Sequence, residues 1–367
     1  MRISTTKEKI FDAVSLSERL VGKKESLPVL SCVLLEVGKG LTVRATNLEA
    51  AIEILIPGEG MEKGEIAVPA SILSQTLRST LGEKVDLNTE DGNLTIKSRG
   101  ATSLIKSIQH EEFPVIGEDE KADSVISVPR ESLMRCLQSV SYAASPSMIR
   151  PELGSVYVLV RDGEITCVAT DSFRLAEKKI SGSVGRKSET EILIPLKHVV
   201  ELAHVLDRVD SDVVELSAGE SQMSVKSSGV RYTSRVVEGN FPDYHEIIPK
   251  SFVSEATILK SDFSEILKKA RVFSGSDQHV GIHIYPKKKI LTATARSNDV
   301  GEMSDSIDAA LSGEDLDINF HIGYLSDCLP SIESDSITLS FAGAGKPLVI
   351  RGVSDASFTY LVMPLNR

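Results

Sequence analysis

Apolar and polar positions along this chain follow a pattern that returns three times. Strand-like runs, alternating or continuously apolar, cover Val29–Leu35, Leu41–Ala45, Ala51–Ile56, Leu94–Ser98 and Leu104–Ile108. A second set covers Val156–Val160, Ile165–Ala169, Glu191–Ile194, Val213–Leu216, Met223–Ser227 and Tyr232–Val237. Turn signals such as Gly38-Lys39-Gly40, Asp91-Gly92 and Asp162-Gly163 separate them. Between the strands lie stretches with apolar residues at helical spacing. Lys7–Val21, Arg130–Ala143 and Ser261–Phe273 form one series; Ala70–Leu81, Leu196–Leu206 and Ile322–Ile332 form another. In the third member of the first series, Phe263, Ile266, Leu267 and Ala270 share a face, and Ser261 and Asp262 are candidate N-caps.

Three markers give the repeat its length. Thr46, Thr170 and Thr294 each follow an apolar strand and an alanine, at intervals of 124 residues. Pro69, Pro195 and His321 each close a strand and open an amphipathic stretch, at intervals of 126. Late in each copy comes a further strand: Thr102-Ser103-Leu104, Tyr232-Thr233-Ser234 and Phe358-Thr359-Tyr360. The 367 residues therefore read as three copies of one domain, with boundaries 1–122, 123–250 and 251–367. The acidic run Gly117–Asp123 and the stretch Lys250–Ser254 mark the junctions. Two helices and roughly eight strands per copy predict an α+β domain, both helices packed on antiparallel sheet. A tandem of three such domains is suited to an arc or ring rather than a single catalytic cleft.

Composition narrows this further. Hydrophobic residues make up 41% and charged residues 25%, as in ordinary globular protein. No run approaches the roughly 18 apolar residues of a membrane span, and the N-terminus shows no apolar signal core, so a cytosolic protein is expected. Cys32, Cys136, Cys167 and Cys328 have no metal-ligand spacing and read as reduced thiols. Tryptophan is absent and aromatics are 5%, which weakens any model built on base stacking. Net charge is −11, yet the helical stretches taken with their flanks, residues 5–24, 71–81, 130–143, 196–208, 260–273 and 321–333, together carry +4 and the rest −15. Helices sharing one surface would present that surface to phosphate; lysine and arginine are also good helix formers, which gives the same bias without a partner.

No motif supplies an active site. Phe341–Pro347 contains Gly-Lys but lacks the first glycine and the Ser/Thr of a phosphate-binding loop, and reads as a hairpin turn. Gly58–Gly64 misses dinucleotide spacing. His279 and His283 are four apart but lie in a strand-like alternation, and His110-Glu111 lacks a second histidine. No nucleophile elbow exists and no spacing singles out a triad. No cofactor or metal is expected. Two segments are unusual: Thr170–Ala176, which departs from Thr46-Asn47-Leu48-Glu49 and Thr294-Ala295-Arg296-Ser297, and the apolar stretch Tyr360–Leu365, followed by almost no tail.

Leu27-Pro28-Val29-Leu30, Ala169–Ala176, Gly239–Tyr244 with Ile248-Pro249-Lys250, and Met363-Pro364 together resemble the bacterial β sliding clamp family, the processivity subunits of the replicative DNA polymerase. The resemblance covers the whole chain. It implies that the three clamp domains form half of a six-domain ring, a head-to-tail homodimer whose helices line a hole around duplex DNA. DNA would be held by topology, with weak, sequence-independent phosphate contacts that permit sliding. Lys24, Arg78 and Lys197 match basic positions near the hole; Lys9, Arg135 and Lys268 are added from their helices. The resemblance also implies a cleft between the second and third domains for short linear motifs of DNA polymerases, the clamp loader and repair proteins. Its matching positions are Arg150, Leu153, Thr170, Phe173, Arg174, Leu175, Pro242, Ile247, Tyr324, Leu361, Met363, Pro364 and Leu365. Leu175 and Leu361 would alternatively serve as core.

Phe173 stands where many relatives carry His or Tyr, Glu246 lies where a base is common, and the end reads Asn366-Arg367. The ring interface is expected to pair Leu104 and Ile105 with Val272 and Phe273, residues that a core would also accept. The expectation is a non-enzymatic processivity factor, cytoplasmic and nucleoid-associated, without a membrane partner. Two other readings stand beside it: a monomeric peptide-binding scaffold of the same fold, and a hydrolase with dispersed residues.

Overall fold

The computed structural model describes residues 1–22, 27–109, 111–114, 124–181, 183–184, 189–219 and 221–365. Lys23, Lys24, His110, the run 117–123, Asn366 and Arg367 lie outside the described residues. The chain falls into two compact units, Met1–Met134 with Gly182–Val236, and Arg135–Ser181 with Val237–Arg367.

Among the described residues six α-helices occupy the predicted places: α1 Lys7–Glu18, α2 Ala70–Ser79, α3 Arg130–Ser141, α4 Leu196–Arg208, α5 Lys260–Phe273 and α6 Ile322–Asp327. Four bury the same i, i+3, i+4, i+7 stripe: Ile10, Ala13, Val14 and Ser17; Ala70, Leu73, Ser74 and Leu77; Leu133, Cys136, Leu137 and Val140; Phe263, Ile266, Leu267 and Ala270. That spacing turns one side of each helix to the sheet and leaves the other to solvent.

In the first unit a five-stranded sheet runs Glu59–Glu62, Arg2–Thr6, Lys84–Glu90, Asn93–Ser98, Ala101–Ile105. A nine-stranded sheet runs Ser183–Val184, Ser124–Pro129, Val213–Ala218, Gln222–Ser227, Val230–Arg235, Ala50–Ile56, Leu41–Thr46, Cys32–Val37, Gly64–Pro69. Its middle joins two copies: Val230–Arg235 of the second pairs antiparallel with Ala50–Ile56 of the first, Tyr232 opposite Ile52. In the second unit the equivalent join sets Phe358–Val362 against Arg174–Ser181, Leu361 opposite Leu175. That sheet continues through Leu348–Gly352, Ser336–Phe341, Ser254–Leu259 and Ala310–Gly313 on one side, and Glu164–Thr170 and Ser155–Arg161 on the other. A four-stranded sheet runs Gly301–Asp308, Ile290–Ser297, His279–Tyr285, Leu316–His321. All of these pairings are antiparallel, so the α+β expectation of helices on antiparallel sheet holds.

Several local expectations need correction. Ser261 and Asp262 do not cap α5; the N-cap is Leu259 and makes no side-chain cap bond. Helices here start directly from a strand, and a remote backbone carbonyl satisfies the first helical N–H. Lys7 donates to Glu83, Arg130 to Asp212, Lys260 to Asp335 and Ile322 to Gln278, at 2.8–2.9 Å. The helix expected to reach Ile332 stops at Asp327, and Leu329–Ser331 is a 3₁₀ turn. Pro330 lacks the N–H an α-helix would need. Val29–Leu35 is not one strand: Pro28–Ser31 forms a 3₁₀ turn before the strand Cys32–Val37. The strand placed at Leu104–Ile108 lies at Ala101–Ile105, because Arg99 and Gly100, both at positive φ, turn the chain early. Ile108 keeps one bridge, to Ala67.

Candidate peptide-binding surface and basic helix faces

The strand Glu164–Thr170 ends in a turn built from side chains. Thr170 Oγ1 donates to the carbonyl of Arg174 at 2.6 Å and accepts from Ser172 N–H at 3.1 Å. Asp171 Oδ1 accepts from the N–H groups of Phe173 and Arg174, each at 3.0 Å. Ser172 sits at φ 78°. The first copy builds the same turn: Thr46 bonds Ala50 and Leu48, Asn47 accepts from Glu49 and Ala50, and Leu48 sits at φ 76°. Thr170–Ala176 therefore does not break the repeat in backbone, as the sequence suggested; it breaks it in chemistry. Asp171 replaces Asn47 and Arg174 replaces Ala50. In the third copy the strand Ile290–Ser297 runs through the position and the turn is gone.

That exchange creates a charge clamp. Arg174 Nε donates to Asp171 Oδ2 at 2.9 Å and Nη1 to Asp327 Oδ2 at 2.6 Å. The guanidinium carbon lies 4.4 Å from the centre of the Tyr324 ring and 5.8 Å from that of Tyr142. Burial favours loss of the proton, but Asp327, Tyr360 and Asp171 outweigh it and hold the guanidinium above its ordinary range. Tyr324 is fixed from two further sides. Its carbonyl accepts from Tyr360 Oη at 2.8 Å, and its N–H donates at 3.4 Å to His321 Nδ1, whose ring lies 4.4 Å away. Burial, then the Arg174 charge, lower the His321 imidazole, which suits a neutral ring accepting at Nδ1.

Around this clamp the structure gathers most of the predicted cleft residues within the second unit. Phe173 is 60% exposed, and its carbonyl accepts from Met363 N–H at 2.8 Å. Leu365 N–H donates to Asn319 O at 2.8 Å, so the segment Met363-Pro364-Leu365 is pinned at both ends and half-buried. Pro364 and Leu365 border a cavity of about 210 Å³ with His283, Asp317, Ile318, Asn319, Ala344 and Gly345. Pro242 and Ile247 are exposed on the segment around the 3₁₀ turn Tyr244–Ile247. Tyr244 Oη donates to Glu177 Oε2 at 2.6 Å, and Phe241 stacks on Tyr157 at 4.9 Å, which brings this segment to the same sheet. Arg150 is exposed and bonded to Glu152 at 3.0 Å, while Thr170 and Leu153 are buried at the turn ends. Leu175 and Leu361 are register partners across the strand pair and are buried, so they pack in the core beneath this surface. Sequence reasoning missed Asp171, Asp327, Tyr142, Tyr244 and Glu177. The signal available was Arg174 itself, since a guanidinium in an apolar run needs carboxylates.

The predicted basic residues that are described all lie on exposed helix faces: Lys9 on α1, Arg78 on α2, Arg135 on α3, Lys197 on α4 and Lys268 on α5. Three lie near carboxylates: Arg135 near Glu333 at 3.6 Å, Lys197 near Glu201 at 4.0 Å, Lys268 near Glu265 at 2.7 Å. Of the expected interface residues, Leu104 and Val272 are exposed and Phe273 is half-buried, whereas Ile105 is buried and belongs to the core. His279 and His283 lie on the strand His279–Tyr285, as the alternation predicted. His283 bridges strands, Nδ1 at 2.6 Å from Asp317 and Nε2 at 2.8 Å from Thr294 Oγ1. No helix among the described residues is long and apolar enough to cross a membrane.

The repeated helix-on-sheet domain, joined strand to strand between copies, defines a tandem three-domain α+β protein with one junction specialised by the Arg174 clamp. Family models for the DNA polymerase III beta subunit match it in all three parts: the N-terminal domain at residues 1–117, the central domain at 127–243 and the C-terminal domain at 245–366. The chain belongs to this family, the beta sliding clamps. The beta sliding clamp of Streptococcus pneumoniae (strain ATCC BAA-255 / R6) is 26% identical over 378 residues, covering 100% of this chain and 99% of that one. That of Bacillus subtilis (strain 168) is 26% identical over 379 residues and covers 100% of both. The crystal structure of the Pseudomonas aeruginosa DNA polymerase III subunit beta shares the fold with a TM-score of 0.94 at 23% identity, covering 100% of each chain.

Proposed function

We propose that two copies of this chain close head to tail into a ring around duplex DNA, which tethers DNA polymerases and other DNA-processing proteins through short motifs bound beside Phe173. One observation carries the ring. The late strand of each copy seeks the fourth strand of the copy before it: Val230–Arg235 takes Ala50–Ile56, and Phe358–Val362 takes Arg174–Ser181. The first copy's late strand, Ala101–Ile105, is a sheet edge, and so is the third copy's Gly301–Asp308. Both are largely exposed rows of backbone donors and acceptors. A second molecule satisfies both by the rule the chain already uses twice. Leu104 on one edge and Val272, Phe273 and Val300 near the other supply apolar contact.

On this reading Lys9, Lys24, Arg78, Arg135, Lys197 and Lys268 face the DNA. The domains run 1–122, 123–250 and 251–367, and the protein works in the cytoplasm on the nucleoid. It has no active site of its own. The Asp317–His283–Thr294 chain has the connectivity of an acyl-transfer relay, but the Asp317 side chain is 61% exposed, where such a relay buries its orienting acid. Topological retention tests the proposal. Protein loaded on nicked circular DNA by a clamp loader should stay bound through gel filtration and be lost when the circle is cut; equal retention on linear DNA, or elution as single chains, refutes the ring.

A further inference from the structure

Cys136 on α3 and Cys167 on the strand Glu164–Thr170 are both fully buried, and their sulfurs lie 2.8 Å apart. That separation falls between a covalent S–S bond at roughly 2.05 Å and ordinary non-bonded contact at roughly 3.5–4.0 Å. Packing does not call for two thiols here. The matching helix positions in the other copies are Ala13 and Ile266, and the strand positions 124 residues either side of Cys167 are Val43 and Leu291, all buried aliphatics. Among the described residues Cys32 and Cys328 have no thiol neighbour of this kind; they donate to the carbonyls of Pro28 and Leu325.

We propose that Cys136 and Cys167 are an oxidation site, closing to a disulfide within the folded second copy when the protein meets hydrogen peroxide. One thiolate attacks a peroxide oxygen, giving a sulfenic acid and hydroxide. The neighbouring sulfur then attacks the sulfenic sulfur, its proton leaves with the departing oxygen as water, and the S–S bond forms. In sum two thiols and one peroxide become one disulfide and two waters; sulfur is oxidised and peroxide oxygen reduced. Burial raises the Cys167 thiol well above its ordinary range, so the reaction waits on local opening and is slow in the native protein. Once made, the bond ties α3 to the strand that ends at Thr170.

The test treats the full-length dimer with hydrogen peroxide and follows intact mass and peptide maps. The expected product has lost two hydrogens, carries a linked Cys136–Cys167 peptide, keeps Cys32 and Cys328 free to alkylation after unfolding, and unfolds at a higher temperature until reduced. Cys136→Ser and Cys167→Ser should each form no link and instead gain oxygen on the remaining thiol. Wild type that keeps four free thiols, gains oxygen as the variants do, or links other cysteines overturns the proposal. The wild-type map decides the matter even where a variant fails to fold.

Discussion

Removing the Arg174 guanidinium should cost more than any other single change at the surface of the second unit. In Arg174→Ala three interactions go at once: the bond to Asp171, the bond to Asp327 and the stack on Tyr324. The Arg174 and Asp171 side chains are only 12% and 10% exposed, so the substitution strands a nearly buried carboxylate. Breaking a buried pair costs about 3–5 kcal/mol. Asp171 still accepts two backbone N–H groups, which puts this pair at or below the low end of that range. Asp327 is 42% exposed and adds well under about 1 kcal/mol after solvent screening. Loss of the cation over Tyr324 adds about 1 kcal/mol. The expected loss is about 3 kcal/mol, consistent with removal of one partner from a buried pair.

Native-state hydrogen exchange under increasing urea, resolved to peptides covering Glu164–Ser181 and Phe358–Val362, measures this loss where it arises. Arg174→Lys should recover less than half of it, since an ammonium keeps charge but neither forks nor stacks. A cycle with Asp327→Asn should give a small coupling, about 0.5–1 kcal/mol. A loss below about 1 kcal/mol for Arg174→Ala, or full rescue by lysine, would show that the clamp is not what holds the turn.

Met363→Ala with Leu365→Ala should abolish binding of partner-motif peptides in a fluorescence titration while the dimer persists; unchanged affinity would remove the terminal segment from the cleft. Phe273→Asp should yield monomers by sedimentation, and a persistent dimer would refute the proposed edge. Peptide affinity should fall as pH drops below about 6.5, because burial and Arg174 hold His321 low, so the unfolded or opened form takes the proton first and stability rises with pH across that window. His198 is lowered in the same direction, so the readout is the difference between wild type and His321→Asn, which keeps a capping acceptor and cannot titrate; equal pH profiles would exonerate His321.

The repeat, the helices and most strands were legible because the signals were redundant: each appears three times, and the buried i, i+3, i+4, i+7 stripe recurs in four helices. What escaped lacked that redundancy. The strand Arg2–Thr6 went unseen because it carries a single apolar residue, Ile3, buried between polar neighbours. The cap of α5 was misread because its first donor, the Lys260 N–H, is satisfied by the carbonyl of Asp335, a source no local window contains. At the site, Phe173, Arg174, Pro242, Met363 and Pro364 were reachable through resemblance. Asp327 was not, since nothing local connects it to a turn 153 residues earlier.

The basic residues on the helices carry a consequence for sliding. A ring that gripped phosphate tightly would convert each step along DNA into the breaking of several charge-assisted contacts. Here Arg135, Lys197 and Lys268, all exposed, already have carboxylates within 4.0 Å; those of Glu333 and Glu265 are exposed too, whereas Glu201 is only 12% exposed. An arginine or lysine shared with a neighbouring acid gains less from any one phosphate, and the cost of leaving that phosphate is correspondingly smaller. On the proposed reading, the overall charge of −11 and the helix-bound excess of bases act together: the body repels DNA, the helices attract it weakly, and the closed ring supplies the retention that neither gives. Replacing Glu265 and Glu201 with Gln should therefore strengthen DNA contact at low salt and slow diffusion of the loaded ring along it. Faster or unchanged sliding in a single-molecule track would show that these acids do not temper the bases beside them.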